Sequence, residues 1–202
     1  MLRVAMRIPT ELGELYVEDE GTGPAVLLWH SLLHHGGMWR PIVQRLKDRF
    51  RFISIDGPGH GRSSVIRRGF DVAGCARAAE KVLDARKVDR AAVLGLSWGG
   101  MVALQLAANR SSRISAIVAM ATSSQPEPWK NRLQYLAMGT VSRRVGVIPL
   151  LLDRIEPIFF SDRAMRERRE DLVEPWRQYV ARMDRESMWH ADRKSTRLNS
   201  SH

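Results

Sequence analysis

Short apolar runs alternate with longer amphipathic stretches over the first 122 residues. Residues 3–8 and 14–18 read as a pair of strands turning at Glu11-Leu12-Gly13. A Gly-Thr-Gly-Pro turn (21–24) leads into AVLLWH, an apolar run that predicts a buried central strand. A helix is predicted from about Trp39 to Arg49, RFISID as the next strand, and GFDVAGCARAAEKVLDARKV as the next helix. Ala92-Val93-Leu94 opens a further strand, MVALQLAANR (101–110) reads as a helix, and ISAIVAMAT (114–122) as another strand. This alternation predicts an α/β fold, a mainly parallel sheet flanked by helices on both faces. After Thr122 the pattern changes. Residues 123–191 hold no good strand but several helical stretches, broken by Pro126, Pro128, Pro149, Pro157 and Pro175. Trp129, Tyr135, Phe159, Phe160, Trp176, Tyr179 and Trp189 also fall here. Most of these rings are expected to pack helices together rather than to meet a ligand.

The chemistry concentrates where a strand meets a helix. Gly95-Leu96-Ser97-Trp98-Gly99 follows the Ala92–Leu94 run and precedes the helix. A serine between two glycines at such a junction is the pattern of a nucleophile elbow. The turn is too tight for flanking side chains, which is why glycine is required. The strained corner lifts the serine oxygen clear of the backbone, and the helix N-terminus points N–H groups toward developing negative charge. Sites in sheets of this kind sit beyond the carboxyl ends of the strands. Ser97, Leu32 and the 56–63 loop all lie at such ends and can converge.

Two upstream segments extend the pattern: PAVLLWHSLLHHGGMW (24–39) and RFISIDGPGHGRSS (51–64). With the elbow they resemble the α/β-hydrolase superfamily, and most of all its small serine-nucleophile branch of esterases, enol-lactonases, C–C hydrolases and cofactor-free haloperoxidase-like enzymes. In that branch a strand ends in His-Gly-X, and the N–H of X supplies half of the oxyanion hole. The matching residues are His30, Ser31 and Leu32; the serine departs from the usual glycine, although some enol-lactonases also read Ser-Leu there. The D-x-x-G-x-G-x-S pattern is met by Asp56, Gly59, Gly61 and Ser63. The resemblance covers about residues 3–122 and implies a hydrolase core over 1–122 with a helical cap over 123–191. It implies Ser97 as nucleophile, with the backbone N–H groups of Leu32 and Trp98 as oxyanion donors. A serine here argues against haloalkane dehalogenase or epoxide hydrolase chemistry, which uses an aspartate at this point. The implied activity is hydrolysis of a small ester, lactone or related acyl substrate. Acyl transfer or haloperoxidase-like chemistry on the same serine, and a non-catalytic ligand-binding role, remain open alternatives.

A serine needs a base, usually a histidine oriented by a carboxylate. In this fold the chain order is Ser, then Asp or Glu, then His. The resemblance puts the acid after a seventh strand and the histidine after an eighth, and neither strand is found. The expectation is that the last two strands, roughly 60–80 residues, are missing, with acid and base beyond residue 191, and that the chain as written is inactive. His30, His60 and Asp56 are expected to shape loops; His34 and His35 to sit near a pocket mouth; His190 to end the cap. DRKSTRLNSSH (192–202) is polar and aperiodic, resembles a translated sequencing-library adapter, and is expected to be foreign to the fold.

Composition narrows the partners. Hydrophobic residues make up 44% and charged residues 27%, as in an ordinary globular domain. Cys75 is the single cysteine, which excludes an internal disulfide framework, and its setting suggests a small buried helix residue. The formal charge of +10 invites a nucleic-acid reading. The tail accounts for +2 of it, with Arg193, Lys194 and Arg197 against Asp192. The densest basic stretch, Arg163–Arg169, is interleaved with acids and reads as a solvated helix face. The expected partner is therefore a small-molecule substrate, with no nucleic acid, no membrane and no metal or organic cofactor. No signal peptide or membrane-length apolar run is present, so a cytoplasmic location is the default.

Overall fold

A computed structural model describes residues 2–109, 111–123 and 129–194. Pro126, Pro128 and residues 195–202 of the tail lie outside the described residues, as does the side chain of Tyr135.

Six strands form one sheet: β1 (Val4–Thr10), β2 (Gly13–Gly21), β3 (Ala25–Trp29), β4 (Arg51–Ile55), β5 (Ala91–Leu96) and β6 (Ile114–Met120). Their order is β1-β2-β4-β3-β5-β6. β1 and β2 form the antiparallel pair expected from the Glu11-Leu12-Gly13 turn, and β2 runs antiparallel to β4. β4, β3, β5 and β6 are mutually parallel. Side-chain alternation then sorts the apolar residues onto two faces. Leu27 and Trp29 of β3 join Ile53, Ile55 and Val93 in one core, and Leu28 joins Phe52, Trp39 and Val43 in the other.

Helices α1 (Arg40–Leu46), α2 (Val72–Ala85) and α3 (Trp98–Asn109) connect the parallel strands. Asp71 starts α2 by accepting a hydrogen bond from Gly74 N at 2.7 Å, the side-chain cap that satisfies a free N–H of the first turn. The buried face of α2 is small: Cys75, Ala76, Ala78 and Ala79 let the helix approach the sheet closely. Cys75 is fully buried, and burial pushes its thiol well above the ordinary range.

The helical stretch expected after the sixth strand is present as α4 (Trp129–Val145), α5 (Pro149–Phe159), α6 (Asp162–Glu167), α7 (Glu174–Ala181) and α8 (Arg185–Lys194), with a π-helical turn at Arg169–Val173. Pro149 sits in the first turn of α5, where its missing N–H costs nothing. Leu152, Ile155, Trp176, Val180 and Met188 make a separate apolar cluster. α8 reaches the main core: Ala191 packs into it, and Ser187 Oγ accepts from Ile66 N at 2.8 Å. Arg163 and Glu167 form the i,i+4 pair expected of a solvated face. Arg169, in the same basic stretch, instead reaches the buried Glu156, as does Arg177. No described helix is long and apolar enough to cross a membrane.

Candidate functional site

The corner between β5 and α3 has no space for additional carbon. A Cβ on Gly95 would lie 2.1 Å from Gly99 O, and one on Gly99 would lie 2.2 Å from Trp29 O. Between them Ser97 adopts φ +52°, a left-handed conformation costly for a non-glycine residue, on the order of 1–3 kcal/mol. The corner is braced on both sides: Ser97 N–H donates to Met120 O at the end of β6 (2.8 Å), and Met101 N–H donates to Ser97 O (3.1 Å). Trp98, the first residue of α3, presents one of the helix-start N–H groups that have no partner inside the helix.

Across the corner, the loop after β3 is held by buried histidines. His30 Nε2 accepts from Gly57 N at 2.7 Å, so its proton is on Nδ1, which donates to Ser31 O at 2.7 Å. His34 N also donates to Ser31 O, at 3.2 Å. In a trans peptide the C=O and the next N–H point opposite ways. Pinning Ser31 O toward the His30 ring therefore turns Leu32 N–H to the other side. His60 repeats the arrangement: Nδ1 donates to Pro58 O at 2.8 Å, and Nε2 accepts from Leu33 N at 3.3 Å. Burial holds both histidines neutral, His60 at about 4 and His30 well below its ordinary value, with His60 nearby adding to the effect on His30. Both therefore shape loops, and neither has a ring nitrogen left to serve Ser97. Asp56 does the same work at the next strand end, accepting from Gly36 N (2.7 Å) and Arg62 N (2.8 Å).

Leu32, Ser97 and Trp98 line one cavity of about 430 Å³. Its far wall comes from the helices after β6, including Met138 of α4, Ile155 and Phe159 of α5, Val180 of α7 and Met188 of α8. His34 also lines it, whereas His190 lies on α8 beside Glu186, 3.7 Å away. Among the described residues, no cluster of His, Cys, Asp and Glu is arranged to hold a metal ion.

Sequence reasoning missed two features. Four described non-glycine residues have positive φ, and three of them, Leu33, Ser97 and Ala121, line this cavity from the ends of β3, β5 and β6. Leucine and alanine give no hint of left-handed backbone, so only Ser97 was visible. The second feature is the tie between α7 and the loop after β3. Trp176 Nε1 donates to Leu33 O at 3.0 Å, and Tyr179 O–H donates to His34 O at 3.0 Å while accepting from Gly61 N at 2.9 Å. Phe159 and Phe160 pack on Trp176, Phe159 also lines the cavity, and Trp176 and Tyr179 fasten α7 to the loop after β3.

A family model described as the alpha/beta hydrolase fold matches residues 24–149. The chain belongs to this family. It is 30% identical over 152 residues to haloalkane dehalogenase 2 of Mycobacterium tuberculosis, covering 75% of this chain and 51% of that protein. It is 36% identical over 144 residues to a pimeloyl-[acyl-carrier protein] methyl ester esterase of Chromobacterium violaceum, covering 69% and 55%. A thermophilic esterase from Thermogutta terrifontis superposes with a TM-score of 0.83 at 25% identity, over 96% of this chain and 71% of that one. The chain spans about half the length of the curated relatives it matches.

Proposed function

We propose that this α/β-hydrolase chain carries the nucleophile and oxyanion-hole half of a serine hydrolase acting on a small ester, lactone or related acyl substrate. The observation that carries the reading is the left-handed Ser97 at a glycine-walled strand–helix corner, opening into the cavity that Leu32 and Trp98 also line. In this reading Ser97 Oγ attacks the acyl carbon. The carbonyl oxygen becomes an oxyanion and takes hydrogen bonds from Leu32 N–H and Trp98 N–H. One such donor is typically worth about 3–4 kcal/mol in the transition state. His30 is a positioning residue, because its hydrogen bond to Ser31 O sets the Leu32 peptide. The serine favours the esterase relative over the dehalogenase as a guide, since dehalogenase chemistry calls for an aspartate at the elbow.

Among the described residues, the histidines at and behind the cavity do not supply the base. His30 and His60 are committed to backbone partners, and His34, at about 4, is too weakly basic to activate a serine near neutrality. The test follows from this. The 202-residue chain is treated with a fluorophosphonate, and the adduct is located by mass spectrometry. Ser97 should be labelled slowly, faster as imidazole is added to supply a base, and Ser97→Ala should not be labelled. Equal labelling of Ser97→Ala, or an adduct elsewhere, would sink the assignment.

A further inference from the structure

The cavity's lining is chemically one-sided. None of its described lining residues is Asp, Glu, Lys or Arg, although the chain as a whole carries a formal charge of +10. A charged group placed there would lose its hydration with no counter-ion to meet, which is strongly unfavourable. Most of the wall is aliphatic side chain and methionine, whose flexible thioether adapts to different chain shapes. The volume, about 430 Å³, lies in the range of small-ligand pockets.

His34 breaks this apolar surface in a controlled way. Its backbone is fixed at both ends, with N–H donated to Ser31 O (3.2 Å) and C=O accepting from Tyr179 O–H (3.0 Å). Its ring is boxed by Phe159, Phe160 and Trp176, with centroids 5.7, 6.5 and 6.2 Å away. Among the described residues the ring nitrogens have no hydrogen-bond partner. Burial, helped by the nearby His35 and His60, keeps the imidazole neutral at pH 7, with a pKa of about 4. A neutral imidazole offers one N–H donor and one acceptor. Ser142, within α4, is another polar side chain on the lining and serves as the comparison for His34.

We infer that the cavity selects an uncharged, mainly aliphatic acyl chain bearing one hydrogen-bonding oxygen, and that the His34 ring recognises that oxygen. His34 is thus a specificity-determining residue, and this inference rests on reading the cavity as the acyl site. A purely structural His34 would pack as one more ring in the aromatic cluster, and phenylalanine would replace it without consequence for ligand choice.

The test is an equilibrium one on the 202-residue chain. Dissociation constants are measured by calorimetry at pH 7.5 for ethyl hexanoate, its 3-, 4- and 5-oxo derivatives, and monoethyl adipate. At least one oxo ester should bind fivefold or more tighter than ethyl hexanoate, and the anionic adipate monoester at least tenfold weaker. His34→Phe should abolish the oxo preference, read as the ratio of the oxo-ester constant to that of ethyl hexanoate. His34→Gln, which keeps an N–H donor, should retain part of the preference, and Ser142→Ala should not alter it. A preference that survives His34→Phe or follows Ser142, an absence of any oxo preference in the wild type, or adipate binding equal to hexanoate would overturn the inference. If His34→Phe does not fold, His34→Gln and Ser142→Ala decide: a preference reduced in the first and kept in the second carries the inference, and one unchanged in His34→Gln overturns it. The same constants can be measured in Ser97→Ala. Failure of Ser97 to take the phosphonate would defeat the nucleophile reading and leave these ratios intact.

Discussion

β3 and β6 read alike as sequences, AVLLW and ISAIVAM, and both lie parallel beside β5. Their surroundings differ. Leu27, Leu28 and Trp29 of β3 are fully buried between β4 and β5, whereas Ser115 through Ala119 of β6 are exposed. Among the described residues β6 pairs with β5 alone. The contrast carries through to the site. On the β3 side, His30, His60, Asp56, Trp176 and Tyr179 all fasten the loop that holds Leu32 and His34. On the β6 side, the Ser97 corner is braced by Met120 O, followed at once by the strained Ala121. An apolar run therefore specifies that a strand forms, while its number of neighbours decides how much of that run leaves water.

The strongest way to break this comparison is to place the same charge on both strands. Leu28→Lys buries an unpaired ammonium among Trp39, Val43 and Phe52 and should cost more than about 4 kcal/mol, abolishing cooperative folding. Val118, 48% exposed, should accept lysine within about 0.5 kcal/mol, with less self-association, since lysine blunts an open sheet edge. Urea denaturation and light scattering measure both. If Val118→Lys unfolds the chain as Leu28→Lys does, β6 is buried in solution and the contrast is wrong.

The limits of sequence reading run along the same line. The order and type of the strands were legible because β3 to β6 are short, mainly apolar runs and β1 and β2 flank the Glu11-Leu12-Gly13 turn. The GLSWG corner was legible because only glycine fits where a Cβ would meet a carbonyl 2.1–2.2 Å away. His30, His60 and Asp56 were readable as loop-holding residues from their places in the motifs. The strain at Leu33 and Ala121 left no trace in residue type. Neither did the buried Asp19, which takes ion pairs from Arg51 and Arg86, each 2.6 Å away, because those partners come from distant segments. The ties from Trp176 and Tyr179 were hidden for the same reason, bridging more than a hundred residues.

Acid should weaken the β3 side selectively. His60 stays unprotonated in the folded chain down to about pH 4, whereas the unfolded chain takes up this proton near 6.5. Between these values the unfolded state binds more protons, so stability is full above pH 6.5 and falls as pH drops toward 4. His60 alone contributes up to about 3 kcal/mol of this loss. A proton on Nε2 would also take away the acceptor for Leu33 N–H. Urea midpoints between pH 7 and 4.5 measure the slope, which His60→Gln should flatten. A wild-type stability independent of pH over this range would contradict a buried neutral histidine.

The tie from α7 to the loop after β3 is a smaller effect. Trp176→Phe keeps the ring among Phe159 and Phe160 but removes the donor to Leu33 O. The expected cost is about 1 kcal/mol. Hydrogen exchange should quicken at the amides of Leu33 and His34, with little change along β6. Equal acceleration on both sides of β5 would mean that the cap stabilises the whole sheet rather than this loop.

The smallest expected effect concerns the strain shared by the two sides. Ala121 adopts φ +46° at the end of β6, and its side chain is a single methyl, so glycine there removes little packing. Glycine occupies the left-handed region without the Cβ clash, although it also makes the unfolded chain more flexible. The two effects oppose each other, and the net gain for Ala121→Gly should be about 0.5–1 kcal/mol, or a rise of about 1–4 °C in Tm for a chain of this size. Leu33, equally left-handed at φ +57°, packs against the apolar cluster of Leu152, Ile155, Trp176, Val180 and Met188. Leu33→Gly should therefore lose more in burial than it gains in backbone relief and come out destabilised by about 1 kcal/mol or more. Opposite signs at two positions with the same backbone strain would show that packing, present after β3 and sparse after β6, separates the two sides. Equal signs would place the difference in the backbone instead.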